Sequence, residues 1–190
     1  MFEFRKTSLA VLTTAVMMCG TSAFAAETST GPFGSGTIHF TGTVTNAPCS
    51  IAPGDDNLAI SLGQVSSKQL ATAGATSPSV PVVIHLTGCS FEPAPEGSTA
   101  MPMSKVTASF SGPFDDTNNG YMNTASSGAT GVVVQLLNGD NSTPVSDQKS
   151  IPQTLNGGEN ELQFYARMLA TDAATPGPVL ANVTYTLTYE

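Results

Sequence analysis

The residues of this chain that could do chemistry are few and scattered. Cysteine occurs at positions 19, 49 and 89, histidine at 39 and 85, and acidic side chains pair as Asp55-Asp56 and Asp115-Asp116. Thiolate catalysis or a metal site needs such groups in clusters, and neither Cys49 nor Cys89 has a second Cys or a His at ligand spacing. No serine sits in a G-x-S-x-G elbow. The Asp pairs lack the D-x-[DN]-x-[DN]-G spacing of a calcium loop and lie among Asn and Gly, the ordinary turn residues. His39 and His85 have no triad partners in view and read as ordinary strand residues. Asn141-Ser142-Thr143 and Asn182-Val183-Thr184 fit a glycosylation pattern that nothing else in the chain calls for. The sequence therefore offers no catalytic residue, no cofactor site and no metal site, and an enzyme is not expected.

The remaining chemistry of cysteine is oxidation, and the N-terminus says where it would happen. Arg5 and Lys6 precede an apolar run from Leu9 to Met18, which ends in Ala23-Phe24-Ala25. A basic start, a short apolar stretch and an A-x-A site make a secretory leader over residues 1–25. The run is too short for the roughly 20 residues of a membrane span. Met18 before Cys19 argues against a lipoprotein signal. Cys19 leaves with the leader, so Cys49 and Cys89 remain in a chain bound for an oxidising compartment, and one disulfide is expected. Closing a loop of about 40 residues stabilises by about 4 kcal/mol in the chain-entropy picture.

These residues need elements to carry them, and the composition says which kind. The chain has 190 residues, 6 basic and 14 acidic, for a formal net charge of −8. Losing Glu3, Arg5 and Lys6 with the leader brings it to −9. So few cations exclude a binder of nucleic-acid phosphates. The heptad composition of a helical bundle is missing. Apolar residues recur with period two at Ile38–Val44, Leu58–Leu62, Val106–Phe110, Leu162–Met168 and Val183–Tyr189, while Val80–Leu86 and Val132–Leu137 are apolar runs of strand length. Asn138-Gly139-Asp140 is a hairpin turn signal. One weak helical turn is expected around Ser66–Ala71. Short strands between Gly/Pro/Asn/Asp clusters predict an all-β sandwich of the immunoglobulin type.

Both ends of the leaderless chain are unusual. Residues 27–36 are small and almost uncharged, and read as extended. The last strand runs to Glu190, with aromatic and aliphatic side chains on one face. An apolar edge strand invites pairing by another chain, so the two ends together suggest strand exchange between molecules.

Several stretches resemble the pilin subunits of chaperone–usher fimbriae, the type 1 major-subunit group in particular. They are Gly36 to Cys49, Leu62 to Val65, Gly74 to Thr76, His85 to Cys89, Phe164 to Arg167, and Ala174 to Pro178 with the C-terminal Tyr185 to Glu190. The cysteine pair, Gly177 and the penultimate Tyr189 are the most specific parts.

The resemblance implies an incomplete immunoglobulin-like sandwich completed by a donor strand from another subunit. Residues 26–40 would be that N-terminal donor and residues 41–190 the pilin domain. Alternation puts Gly34, Gly36, Ile38 and Phe40 on the inserted face. Gly177, Val183, Tyr185, Leu187, Tyr189 and Glu190 would belong to the groove strand that a periplasmic chaperone first covers, with the terminal carboxylate of Glu190 held by basic chaperone residues. The implied partners are that chaperone, an outer-membrane usher, other copies of the chain and neighbouring subunits, with no nucleic acid and no membrane insertion. The implied place is a cell-surface fimbrium reached through the periplasm, and the implied role is head-to-tail polymerisation into a shaft. A minor or tip-adaptor subunit, or a secreted ligand-binding sandwich, is the alternative.

Overall fold

Period-two alternation becomes a strand only where a second chain segment supplies hydrogen-bond partners. The computed structural model describes residues 36–93 and 103–190. The leader expected over residues 1–25, and Gly34, lie outside them. Among the described residues nine strands form in chain order: β1 (Ser50–Ile51), β2 (Val80–Cys89), β3 (Lys105–Ser111), β4 (Phe114–Asp115), β5 (Gly120–Met122), β6 (Val132–Leu137), β7 (Gln153–Thr154), β8 (Gly158–Ala170) and β9 (Thr184–Tyr189). A short 3-10 turn, Asp55–Asn57, is the one helical element among the described residues.

The strands make two antiparallel sheets. One has the order β1-β2-β8-β6-β5-β4, the other β7-β3-β9. In the larger sheet β8 lies between β2 and β6, with Ile84 opposite Leu162 and Val134 opposite Met168. In the smaller, β3 carries β9, with Ala108 opposite Leu187. Ile84, Leu86, Leu162 and Phe164 from one sheet meet Val106, Ala108 and Phe110 from the other in a single core. Phe110 and Phe164 pack edge to face across it, ring centres 5.2 Å apart. Tyr121 is fully buried and donates to the Phe110 carbonyl at 3.3 Å. Burial pushes its phenol up to about 12.

The Cys49–Cys89 disulfide forms, joining the approach to β1 to the end of β2. The Ser90 N–H donates to the Pro48 carbonyl beside it.

Two expected strands are absent. Residues 36–46 and 58–65 have no regular secondary structure. Their alternation is real, but no described segment pairs with either. His39 therefore lies in irregular chain, not on a strand. The turn after β6 differs too. It extends past Asn138-Gly139-Asp140 to residue 143, and the buried Asn138 side chain binds the Thr143 and Pro144 carbonyls across it. The expected helical turn is a short turn at Ser66–Leu70, closed by a Gln69 N–H to Ser66 carbonyl bond. The chain divides at Gly42, and every strand lies in residues 43–190. No helix among the described residues is long and apolar enough to cross a membrane.

Candidate functional site

The sandwich is open along one edge. Between β9 with its preceding segment and residues 58–65 runs a groove of about 910 Å³. Its floor is Val82 and Ile84 of β2, Val134 and Leu136 of β6, and Ala166 and Met168 of β8. These side chains are apolar because they are the inward half of strands whose backbones are already satisfied. Ile60 and Leu180 stand half-exposed on opposite walls.

Each wall leaves a row of backbone groups without a partner among the described residues. Residues 58–65 make no backbone hydrogen bond to another described residue. On the far wall, alternate residues are used. The Pro178 and Leu180 carbonyls accept from Ala129 and Thr124, and the Leu180 N–H donates to the Asn123 side chain. Lys105 and Glu190 exchange both backbone bonds, so in β9 the even residues face β3. The backbone groups of Val179, Ala181, Val183, Tyr185, Leu187 and Tyr189 are left facing the groove. An unpaired buried N–H or C=O costs about 1–3 kcal/mol. A single extended segment laid between the walls would satisfy both rows.

The sequence-predicted groove residues fall as follows. Val183, Tyr185, Leu187 and Tyr189 are half-buried and pack on the core, while Thr184, Thr186 and Thr188 are exposed. Burial raises the phenol pKa of Tyr189, and burial followed by the nearby charges of Asp55 and Asp56 raises that of Tyr185. One oxygen of the terminal carboxyl group of Glu190 accepts the Lys105 N–H at 2.9 Å, and the Thr107 hydroxyl donates to its side chain at 3.3 Å. Gly177 has a plain steric reason to be glycine. A Cβ there would sit 2.5 Å from the Ala129 nitrogen and 2.8 Å from the Gly128 carbonyl carbon, both rigid backbone. Of the predicted donor residues, Gly36, Ile38 and Phe40 are described, and Ile38 and Phe40 are 76% and 88% exposed.

Sequence reasoning missed two sets of residues. Asn123 pins the wall by donating to the Ala129 and Pro178 carbonyls at 2.8 and 3.0 Å and accepting from Leu180 at 2.9 Å. As an Asn accepting from the residue two ahead it reads locally as a turn former, and nothing near it points to residue 180. His85 and Asp55, assigned separately to a plain strand and a solvated loop, are bonded. The Asp55 carboxylate accepts the His85 N–H at 2.5 Å and faces the His85 Nδ1 at 2.8 Å. The backbone N–H bond is the main reason its pKa falls below the usual carboxylate value. A separation of 30 residues leaves no local signal for such a pair.

The sequence model of a family described as fimbrial protein matches residues 38–190. The type-1 fimbrial protein A chain of Escherichia coli K12 is 33% identical over 187 residues, covering 97% of this chain and 98% of that one. The major fimbrial subunit SMF-1 of Stenotrophomonas maltophilia is 38% identical over 173 residues, covering 81% and 92%. Among solved structures, a subunit of a chaperone–usher pilus, from work on rod uncoiling, superposes with a TM-score of 0.71 at 28% identity. It covers 85% of this chain and 99% of that one. The P pilus rod subunit PapA superposes at 0.61 with 24% identity, covering 76% and 100%, a likeness of fold. The architecture is thus the incomplete immunoglobulin-like sandwich of pilus subunits.

Proposed function

The chain belongs to the fimbrial protein family and is a structural subunit of a fimbrium, and from that premise we propose that it builds the shaft by donor-strand exchange. In this reading residues 26–40 of one copy enter the groove of the next, and residues 41–190 are the receiving domain. The observation that carries it is the pair of unpaired backbone rows on either side of an apolar floor. A strand satisfies both rows, and alternating side chains fill the floor. Burying an Ile or Phe side chain stabilises by about 1.5–3 kcal/mol, and Ile38 and Phe40 are largely exposed before assembly.

The contact is head to tail, does not close on itself, and so propagates as a filament. Before assembly the open groove is an aggregation hazard. A periplasmic chaperone strand covers it and also holds the terminal carboxylate of Glu190, and an outer-membrane usher exchanges that strand for the next subunit's extension. The product is a surface fimbrium, reached by export after removal of residues 1–25. The role is mechanical and adhesive, with no reaction catalysed.

Co-expression with a chaperone and usher tests this. Deleting residues 26–36 is expected to abolish polymer while leaving the chaperone complex, and Tyr189→Ala to weaken recovery of that complex on affinity purification. Normal polymer from the deletion variant would sink the reading.

A further inference from the structure

An empty apolar slot between two unpaired walls should collapse, because nothing apolar gains by staying apart. Two hydrogen bonds join the segments carrying the walls among the described residues. At one end the Ala174 N–H donates to the Leu70 carbonyl at 2.9 Å. At the other the Tyr185 hydroxyl donates to the Asp55 main-chain carbonyl, also at 2.9 Å. Between these points residues 58–65 have no backbone bond to another described residue. Strands pair about 4.8 Å apart, so a slot for one strand separates its walls by about 9.6 Å. That is too far for backbone to reach backbone, and a tyrosine side chain spans it.

Asp55 is a fixed point on the larger sheet. It follows Gly54, whose φ of 98° gives the left-handed entry to the 3-10 turn. Its carboxylate is bonded twice by His85 of β2, and the Ala52 N–H donates to the His85 carbonyl at 2.9 Å. Glu161 of β8 faces the other ring nitrogen of His85 at 3.8 Å. The Asp55 carbonyl is therefore held relative to β2, and Tyr185 carries that position across to β9. We propose that the Asp55–Tyr185 contact, locked by His85, is a gauge that keeps this end of the groove one strand wide while it is empty. Asp55, His85 and Tyr185 are then positioning residues for strand uptake. The inference rests on the strand-exchange reading above.

The test adds a fluorescent synthetic peptide of residues 28–40 to the purified full-length chain and follows uptake by anisotropy. Tyr185→Phe keeps the ring and removes the bond, and is expected to slow uptake about ten-fold, the worth of one hydrogen bond. Asp55→Ala keeps the carbonyl but frees it from His85, and should slow uptake similarly, with the double variant no slower, since both disable the same contact. Tyr165→Phe, which removes a hydroxyl from the outward face of β8 away from the groove, should leave the rate unchanged. Thermal midpoints of the peptide-filled proteins should agree, because the inserted strand then sets the spacing itself. Unchanged or faster uptake by Tyr185→Phe, or equal slowing by Tyr165→Phe, overturns the gauge alone. Circular dichroism checks folding, and if Asp55→Ala fails to fold, the two tyrosine variants decide. No uptake by the unaltered chain overturns the strand-exchange reading, and the gauge with it.

Discussion

Strands β8 and β9 carry the same pattern and live in different circumstances. Both alternate inward and outward side chains. β8 has β2 on one side and β6 on the other, whereas β9 has only β3 among the described residues. In β8 the inward residues Leu162 and Phe164 are essentially inaccessible, while their β9 counterparts Tyr185, Leu187 and Tyr189 are only half-buried. Alternation thus specifies a face, and the neighbours specify whether that face is finished. One half of the sandwich is a completed fold and the other leaves an open groove made from the same material.

The largest expected effect probes the completed half. Phe164→Ala removes a fully buried ring packed on Phe110 and should cost about 3–5 kcal/mol. Leu187→Ala, in the unfinished half, should cost the chain alone about 1–2 kcal/mol, since much of that side chain is not yet covered. Urea unfolding of both variants measures the difference, and equal costs would break the contrast between the strands.

A middle-sized effect lies at the seam. Gly177→Ala forces a methyl group into the backbone of residues 128–129. The overpacking should cost about 1–3 kcal/mol and loosen the wall that Asn123 pins. Hydrogen exchange of the Leu180 amide should accelerate while that of the β8 amides does not. Parallel acceleration in both would mean that the wall is no softer than the core sheet.

The smallest effect sharpens the contrast by pH. The folded-state pKa of Asp55 is lowered, so its contribution is full above the ordinary carboxylate value of about 3.9 and is lost as pH falls through the folded value. The pair is near the surface, and about 1 kcal/mol or less is at stake. Asp55→Asn should melt slightly below the unaltered chain at pH 6, and the two should converge as pH falls from 4 towards 2. A gap that stays constant over that range would remove the carboxylate from the account.

Much of the fold is legible from the chain. The apolar runs Val80–Leu86, Val106–Phe110, Val132–Leu137, Leu162–Met168 and Val183–Tyr189 each lie in or across an observed strand. The short pieces β1, β4, β5 and β7 are not legible, because two or three residues cannot show a period. Ile38–Val44 and Leu58–Leu62 show the period without the strand, and that failure is informative. They lie on the two sides of the proposed exchange, segments patterned for pairing whose partner is not a described part of their own fold.

Local properties were settled by sequence alone: which residues alternate, where the turn-forming residues stand, and how little charge the chain carries. Periodicity and composition are read residue by residue, so they need no knowledge of what comes to lie alongside. The tertiary structure alone decided which strand edge is open, why residue 177 has no room for a side chain, and that His85 reaches Asp55. Each of those depends on a hydrogen bond or a steric contact between residues tens of positions apart, and such partners are chosen only when the whole chain packs.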